Sequence, residues 1–135
     1  MSKRLNLSYD EKLLVCERFD GCCAYCGRKA KKATNLYVDH VQRFEEKEGE
    51  IHPGNLLPVC YVCLKAKDTM SIEGFRAFLG GLKEQLRQNN TYMMARIYGL
   101  VVERTSPVEF YFEILEKKRK TEKEMLARNG KEQGE

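Results

Sequence analysis

The sequence predicts a small α+β fold, and three observations carry that reading. Two Cys-x-x-Cys pairs, Cys23/Cys26 and Cys60/Cys63, stand with residues 27–59 between them. Within that interval the run Leu36-Tyr37-Val38-Asp39-His40-Val41 has the aromatic and β-branched content of a strand. On either side of the pairs, apolar residues recur at helical spacing. A chain of 135 residues is about one domain long, and no repeat or clear linker divides it, so a single domain over 1–135 is expected. Its parts are an amino-terminal helix over 8–20, a cysteine-knuckle core over 21–70, a helical and strand extension over 71–113 and a charged tail over 114–135.

Each element has a local reason. Ser8-Tyr9-Asp10-Glu11 reads as a capping box, in which the serine hydroxyl takes a backbone N–H and the glutamate reaches back. The helix it opens places Leu13, Leu14 and Phe19 on the buried side, and Asp20-Gly21 ends it. Residues 22–27 form the first knuckle, with Gly27 allowing the tight turn. Residues 43–50 are too charged for a core strand and read as a hairpin loop, and Pro53-Gly54 is a turn signal. Leu56, Leu57 and Val59 lead into the second knuckle, which opens a short helix through Lys67. Ser71 caps a helix over about 72–88, with Ile72, Phe75, Phe78, Leu79, Leu82 and Leu86 on one face. Gly80-Gly81 weakens it, each glycine costing about 1 kcal/mol relative to alanine. Thr91 caps a further helix carrying Tyr92, Met93, Met94, Ile97 and Tyr98, closed by Gly99. Residues 108–112 read as a strand, and a solvated helix runs from about Lys117.

Hydrophobic content of 42% with 33% charged residues fits a soluble globular protein, and no apolar stretch approaches the roughly 20 residues that span a bilayer. Lys3 and Arg4 are followed by no apolar core, so no secretory signal is read and a cytoplasmic address is expected. In that reducing setting six cysteines point to metal ligation and away from disulfides. Each Cys-x-x-Cys pair sets two thiolates on a turn, and two turns complete a tetrahedral zinc site with Zn–S near roughly 2.3 Å. Such a four-cysteine site is closed, so its metal stabilises folding and does no chemistry. Cys22 adjoins the first pair, but Cys23 has the two-residue spacing to Cys26; Cys16 reads as core. The gap between pairs exceeds the common finger spacing of roughly 15–20 residues, so something else is built there. The net charge of +4 includes a basic cluster, Arg28, Lys29, Lys31 and Lys32, that with Lys65 and Lys67 could approach phosphates.

The interval holds both histidines, His40 and His52, together with Asp39 and Asn55. An acid beside a histidine at a strand end suits metal-assisted hydrolysis. The carboxylate holds a divalent cation, and the neutral imidazole takes a proton from water.

Cys-Ala-Tyr-Cys-Gly, Tyr-Val-Asp-His-Val, then Gly-Asn-Leu-Leu-Pro-Val-Cys-Tyr-Val-Cys and Lys67, in that order, resemble the zinc-containing HNH endonucleases. The likeness spans roughly residues 20 to 113. Ser71-Ile-Glu-Gly-Phe-Arg-Ala-Phe, Tyr98-Gly-Leu-Val and Val108-Glu-Phe-Tyr-Phe resemble extensions common in phage and prophage members. The resemblance implies a ββα-metal core: a hairpin bearing the acid–histidine pair, then a helix completing the metal site. It makes Asp39 a ligand of a catalytic Mg²⁺ or other divalent cation, His40 the general base in DNA phosphodiester hydrolysis, and Asn55 the brace of the hairpin loop.

One departure bears on activity. After the last zinc cysteine the family places Asn or His as second ligand of the catalytic cation, and this chain has Leu64. A leucine cannot donate to a hard cation; Asp68, four residues on, is the candidate replacement. The loop is also more acidic, with Glu45, Glu46, Glu48 and Glu50. Two functions follow as expectations: a DNA endonuclease impaired by Leu64, or an inactive HNH-like zinc protein that binds a partner. The partner is DNA in the first case and a protein in the second, for example a host nucleic-acid-targeting defence nuclease inhibited in the manner of an anti-CRISPR. A transcription factor is disfavoured by the lack of a recognition helix.

Overall fold

The computed structural model describes residues 7–132, with side chains to Gly130. Lys3, Arg4 and the end of the charged tail lie outside the described residues. The chain packs as two compact units. One runs to Asp68 and resumes at Phe110; the other is Thr69–Glu109. The architecture is α+β, with a two-stranded sheet among helices.

The first unit starts with α1 (Tyr9–Glu17). Ser8 Oγ accepts from the Glu11 N–H and donates to the Glu11 carboxylate, so the capping box forms. Cys16 and Phe19 are buried as expected, together with Val15, whereas Leu14 is 63% exposed. Asp20 and Gly21 both take positive φ and turn the chain out of the helix.

Strands β1 (Tyr37–His40) and β2 (Leu56–Val59) pair antiparallel, Tyr37 opposite Val59 and His40 opposite Leu56. Pro58 sits within β2 and leaves its carbonyl free to accept from the Ala24 N–H at 2.7 Å, which fastens the first knuckle to the sheet. Helix α2 (Tyr61–Lys67) follows the second knuckle. Cys63 and Lys67, four residues apart, share its buried face.

Residues 108–112 are not a strand. Helix α6 begins at Tyr111 and runs to Glu132, its number following the helices of the second unit described below. The Tyr111 and Phe112 N–H groups donate to the carbonyls of Tyr25 and Ala24, and Glu113 caps the Phe110 N–H at 3.0 Å. These are the first-turn donors a helix leaves unpaired, here satisfied by the knuckle. Phe110 and Phe112 are buried, with Phe110 edge-on to Tyr25 at 5.2 Å. A short aromatic run carries no period long enough to separate strand from helix start, so the tertiary contact decides. Gly27 (φ +78°) turns beneath Tyr111, whose ring would lie 3.2 Å from a Cβ there.

In the second unit the expected 72–88 helix divides at Gly80-Gly81 into α3 (Ile72–Gly80) and α4 (Leu82–Arg87). Ser71 caps α3 through the Gly74 N–H, and Phe75 is buried. Helix α5 (Asn90–Ile97) is capped by Asn89, whose side chain accepts from the Tyr92 N–H, and not by Thr91. Asparagine is the stronger N-cap of the two. No helix among the described residues is long and apolar enough to cross a membrane.

Candidate metal centre and hairpin site

The two knuckles bring Cys23, Cys26, Cys60 and Cys63 together, all four sulfurs within 4.8 Å of one another. Cys26 Sγ and Cys60 Sγ are 3.8 Å apart, which is the separation of about 3.8 Å that tetrahedral Zn–S bonds of about 2.3 Å impose. Cys22 is outside the cluster, its thiol facing the Asp20 carbonyl. Cys16 is buried against the Ala33 carbonyl. Cys23 is pulled down to about 4, chiefly by the hydrogen bond from Cys63 and further by backbone N–H groups, against its burial. The same bond pushes the Cys63 thiol up. The two thiols thus share one proton, Cys23 as the thiolate and Cys63 as its donor. The donor set fits a structural zinc, held by these four cysteines. Arg28 donates to Cys26 Sγ (3.4 Å) and Cys60 Sγ (3.6 Å), which raises its own pKa and offsets thiolate charge.

At the far end of β1 the two residues of the acid–histidine pair face opposite sides, as alternation in a strand requires. Asp39 Oδ2 accepts from Tyr25 Oη at 2.7 Å and from Lys67 Nζ at 3.0 Å. Both side chains of that ion pair are 6% exposed. Tyr25 is held protonated by burial and by the Asp39 charge. Removing one partner of such a pair leaves a buried, uncompensated charge and costs about 3–5 kcal/mol.

His40 engages the loop instead. Its Nε2 lies 2.8 and 2.9 Å from the two Glu46 oxygens, and Glu46 also accepts from the His52 N–H at 2.7 Å. The His40 bond, then the His52 N–H, holds the Glu46 carboxyl down to about 2. An ionised carboxylate only accepts, so Nε2 carries the proton and Nδ1 is the basic nitrogen of the neutral ring. A depressed carboxyl stabilises the fold above its unfolded value of about 4.5 and loses that contribution as pH falls toward about 2. A carboxyl-carbon NMR titration is therefore expected to find Glu46 near that lower value, returning toward the ordinary range in His40→Ala. An unchanged midpoint would refute the contact.

Asn55 is fully buried at the start of β2. Its Oδ1 accepts from the Arg43 and Phe44 N–H groups (2.9 and 2.8 Å), and its Nδ2 donates to the Phe44 carbonyl at 2.8 Å. His52 stacks on Phe44 and its Nδ1 accepts from the Gly54 N–H, which makes it the cap of that turn. A Cβ at Gly54 would lie 2.5 Å from the Phe44 ring and would displace that half-exposed side chain from His52.

Asp68 is exposed and has φ +50° just past the end of α2. Lys67, paired with Asp39, is not available to a phosphate. Lys29, Lys31, Lys32 and Lys65 are exposed, with Lys65 beside Tyr61. Glu46 is the residue that sequence reasoning missed: four glutamates in one loop look alike, and the turn built on Asn55 and His52 selects which one meets His40.

An HNH endonuclease family model matches residues 23–69. These residues are an HNH segment. They begin at the first zinc-type cysteine and end just past α2, so both knuckles, the hairpin and the helix fall inside. No curated protein and no solved structure matches the chain.

Proposed function

We propose that this protein is a DNA endonuclease of the HNH type, of low turnover, with His40 as general base. The observation that supports this best is the His40–Glu46 pair. A carboxylate on Nε2 fixes the ring's tautomer and orientation and stabilises the imidazolium formed when Nδ1 takes a proton from water. Asn55 holds the loop that carries Glu46, and the four cysteines hold the knuckles that seat hairpin and helix. Exposed Lys29, Lys31, Lys32 and Lys65 supply attraction to backbone phosphates. Residues 71–113 resemble extensions of phage and prophage HNH proteins, and a phage origin belongs to the same proposal.

A second reading is favoured by Glu46 itself. With His40 and Glu46 side chains only 9% and 12% exposed, and Glu45, Glu48 and Glu50 at the surface, the loop sets negative charge where a phosphate would approach. That suits a binding protein in which catalysis has been lost, including an inhibitor of a host nuclease. Relaxation of supercoiled plasmid separates the two. His40→Ala is expected to lower the rate by about 10²-fold or more, the usual size of general-base catalysis. Absence of cleavage by the unaltered protein with Mg²⁺, Mn²⁺ and Ni²⁺ would favour the binding protein.

A further inference from the structure

The HNH resemblance implies a divalent cation on Asp39, and the residues present do not fit one. Asp39 Oδ2 already accepts two hydrogen bonds, from Tyr25 and from the Lys67 ammonium, which leaves an ion only Oδ1 to bond. The ammonium cancels the carboxylate charge that would draw a cation in. An ion bonded to this carboxylate at about 2.1 Å would lie within a few ångströms of that ammonium, like charge against like in a buried place. Leu64, where the family has its second donor, offers only hydrocarbon. Among the described residues the cysteine cluster is the one grouping of three or more His, Cys, Asp or Glu ligand atoms.

We propose that the Lys67 ammonium is the resident cation of the Asp39 carboxylate, so that the hairpin carries no divalent-ion site. α2 delivers it: the helix face that takes Cys63 into the knuckle takes Lys67, one turn on, to β1. The zinc-type knuckle therefore sets an ammonium against the carboxylate that the resemblance assigns to a metal. This concerns the same hairpin as the nuclease reading but holds whether or not the chain cleaves DNA.

The test is Mn²⁺ binding to zinc-loaded protein, followed by electron paramagnetic resonance. Four thiolates retain zinc over Mn²⁺, so the probe reports on the hairpin. The unaltered protein and Leu64→Asn are both expected to show no Mn²⁺ site that Asp39→Asn abolishes. Leu64→Asn with Lys67→Met is expected to gain one, with affinity raised roughly 10-fold or more, a size typical of changes beside a metal ligand. If the unaltered protein binds Mn²⁺ through Asp39, the inference is wrong. If Leu64→Asn alone creates the site, Leu64 and not Lys67 is the block, and the inference is equally wrong. Should the double variant fail to fold, the unaltered protein still decides. Its buried Lys67 ammonium resonance is expected to stay sharp at millimolar Mn²⁺, and selective broadening would overturn the assignment. Cleavage assays on the same samples report separately: absent cleavage with these Mn²⁺ results removes the nuclease reading and leaves Lys67 in place.

Discussion

Cys60→Ser is expected to leave the protein without zinc and with residues 23–69 unfolded. Cys60 lies 3.8 Å from Cys26 and is the residue from which α2 starts, so its loss opens the metal site and frees the helix together. Zinc binding to such sites is worth about 10–16 kcal/mol, against about 5–15 kcal/mol for the whole stability of a typical domain. The two-stranded sheet cannot make up the difference, since a lone hairpin is marginal in water. Elemental analysis should find about one zinc per chain in the unaltered protein and a small fraction of that in the variant. Circular dichroism should find its cooperative melt gone. Cys22→Ser, outside the cluster, should change neither. A Cys60→Ser protein with full zinc and an unaltered melt would mean that the four sulfurs hold nothing together.

Asn55→Ala should be among the most damaging substitutions outside the cysteine cluster. The side chain is fully buried and joins three backbone groups of Arg43 and Phe44. Alanine leaves all three without partners, and unsatisfied groups cost about 1–3 kcal/mol each where water cannot replace the bond. A loss of about 2–4 kcal/mol is expected, or roughly 10–20 °C in melting temperature for a unit of this size. The Arg43 and Phe44 amides should lose their protection from hydrogen exchange. Asn55→Asp keeps the acceptor but buries a carboxylate against the Phe44 carbonyl, and should be destabilising as well. Unchanged stability and amide protection in Asn55→Ala would show that the amide is not the brace. The same change should lower His40-dependent activity, because Glu46 reaches His40 from the loop that Asn55 fastens.

Much of this molecule was legible from residue order. The two Cys-x-x-Cys pairs announced a closed four-sulfur site because tetrahedral geometry needs two pairs of thiolates on turns, and the cluster is there. Aromatic and β-branched content marked β1, and the Ser8 and Ser71 caps marked two helix starts, since each rests on contacts within a few residues. Tertiary contact decided the rest. Residues 108–112 became the entry to α6 because the carbonyls of Ala24 and Tyr25, distant in the chain, satisfy its first N–H groups.

The charged residues divide in the same way. Residue order alone put Asp39 and His40 side by side and placed Leu64 where a donor was expected. It could not tell that Lys67 would face inward to Asp39 while Lys65 faces solvent, or that Glu46 alone among four loop glutamates would meet His40. Those outcomes depend on where a helix face and a turn point once the knuckles close, and long-range electrostatic partners are chosen by that geometry, which spacing along the chain does not encode.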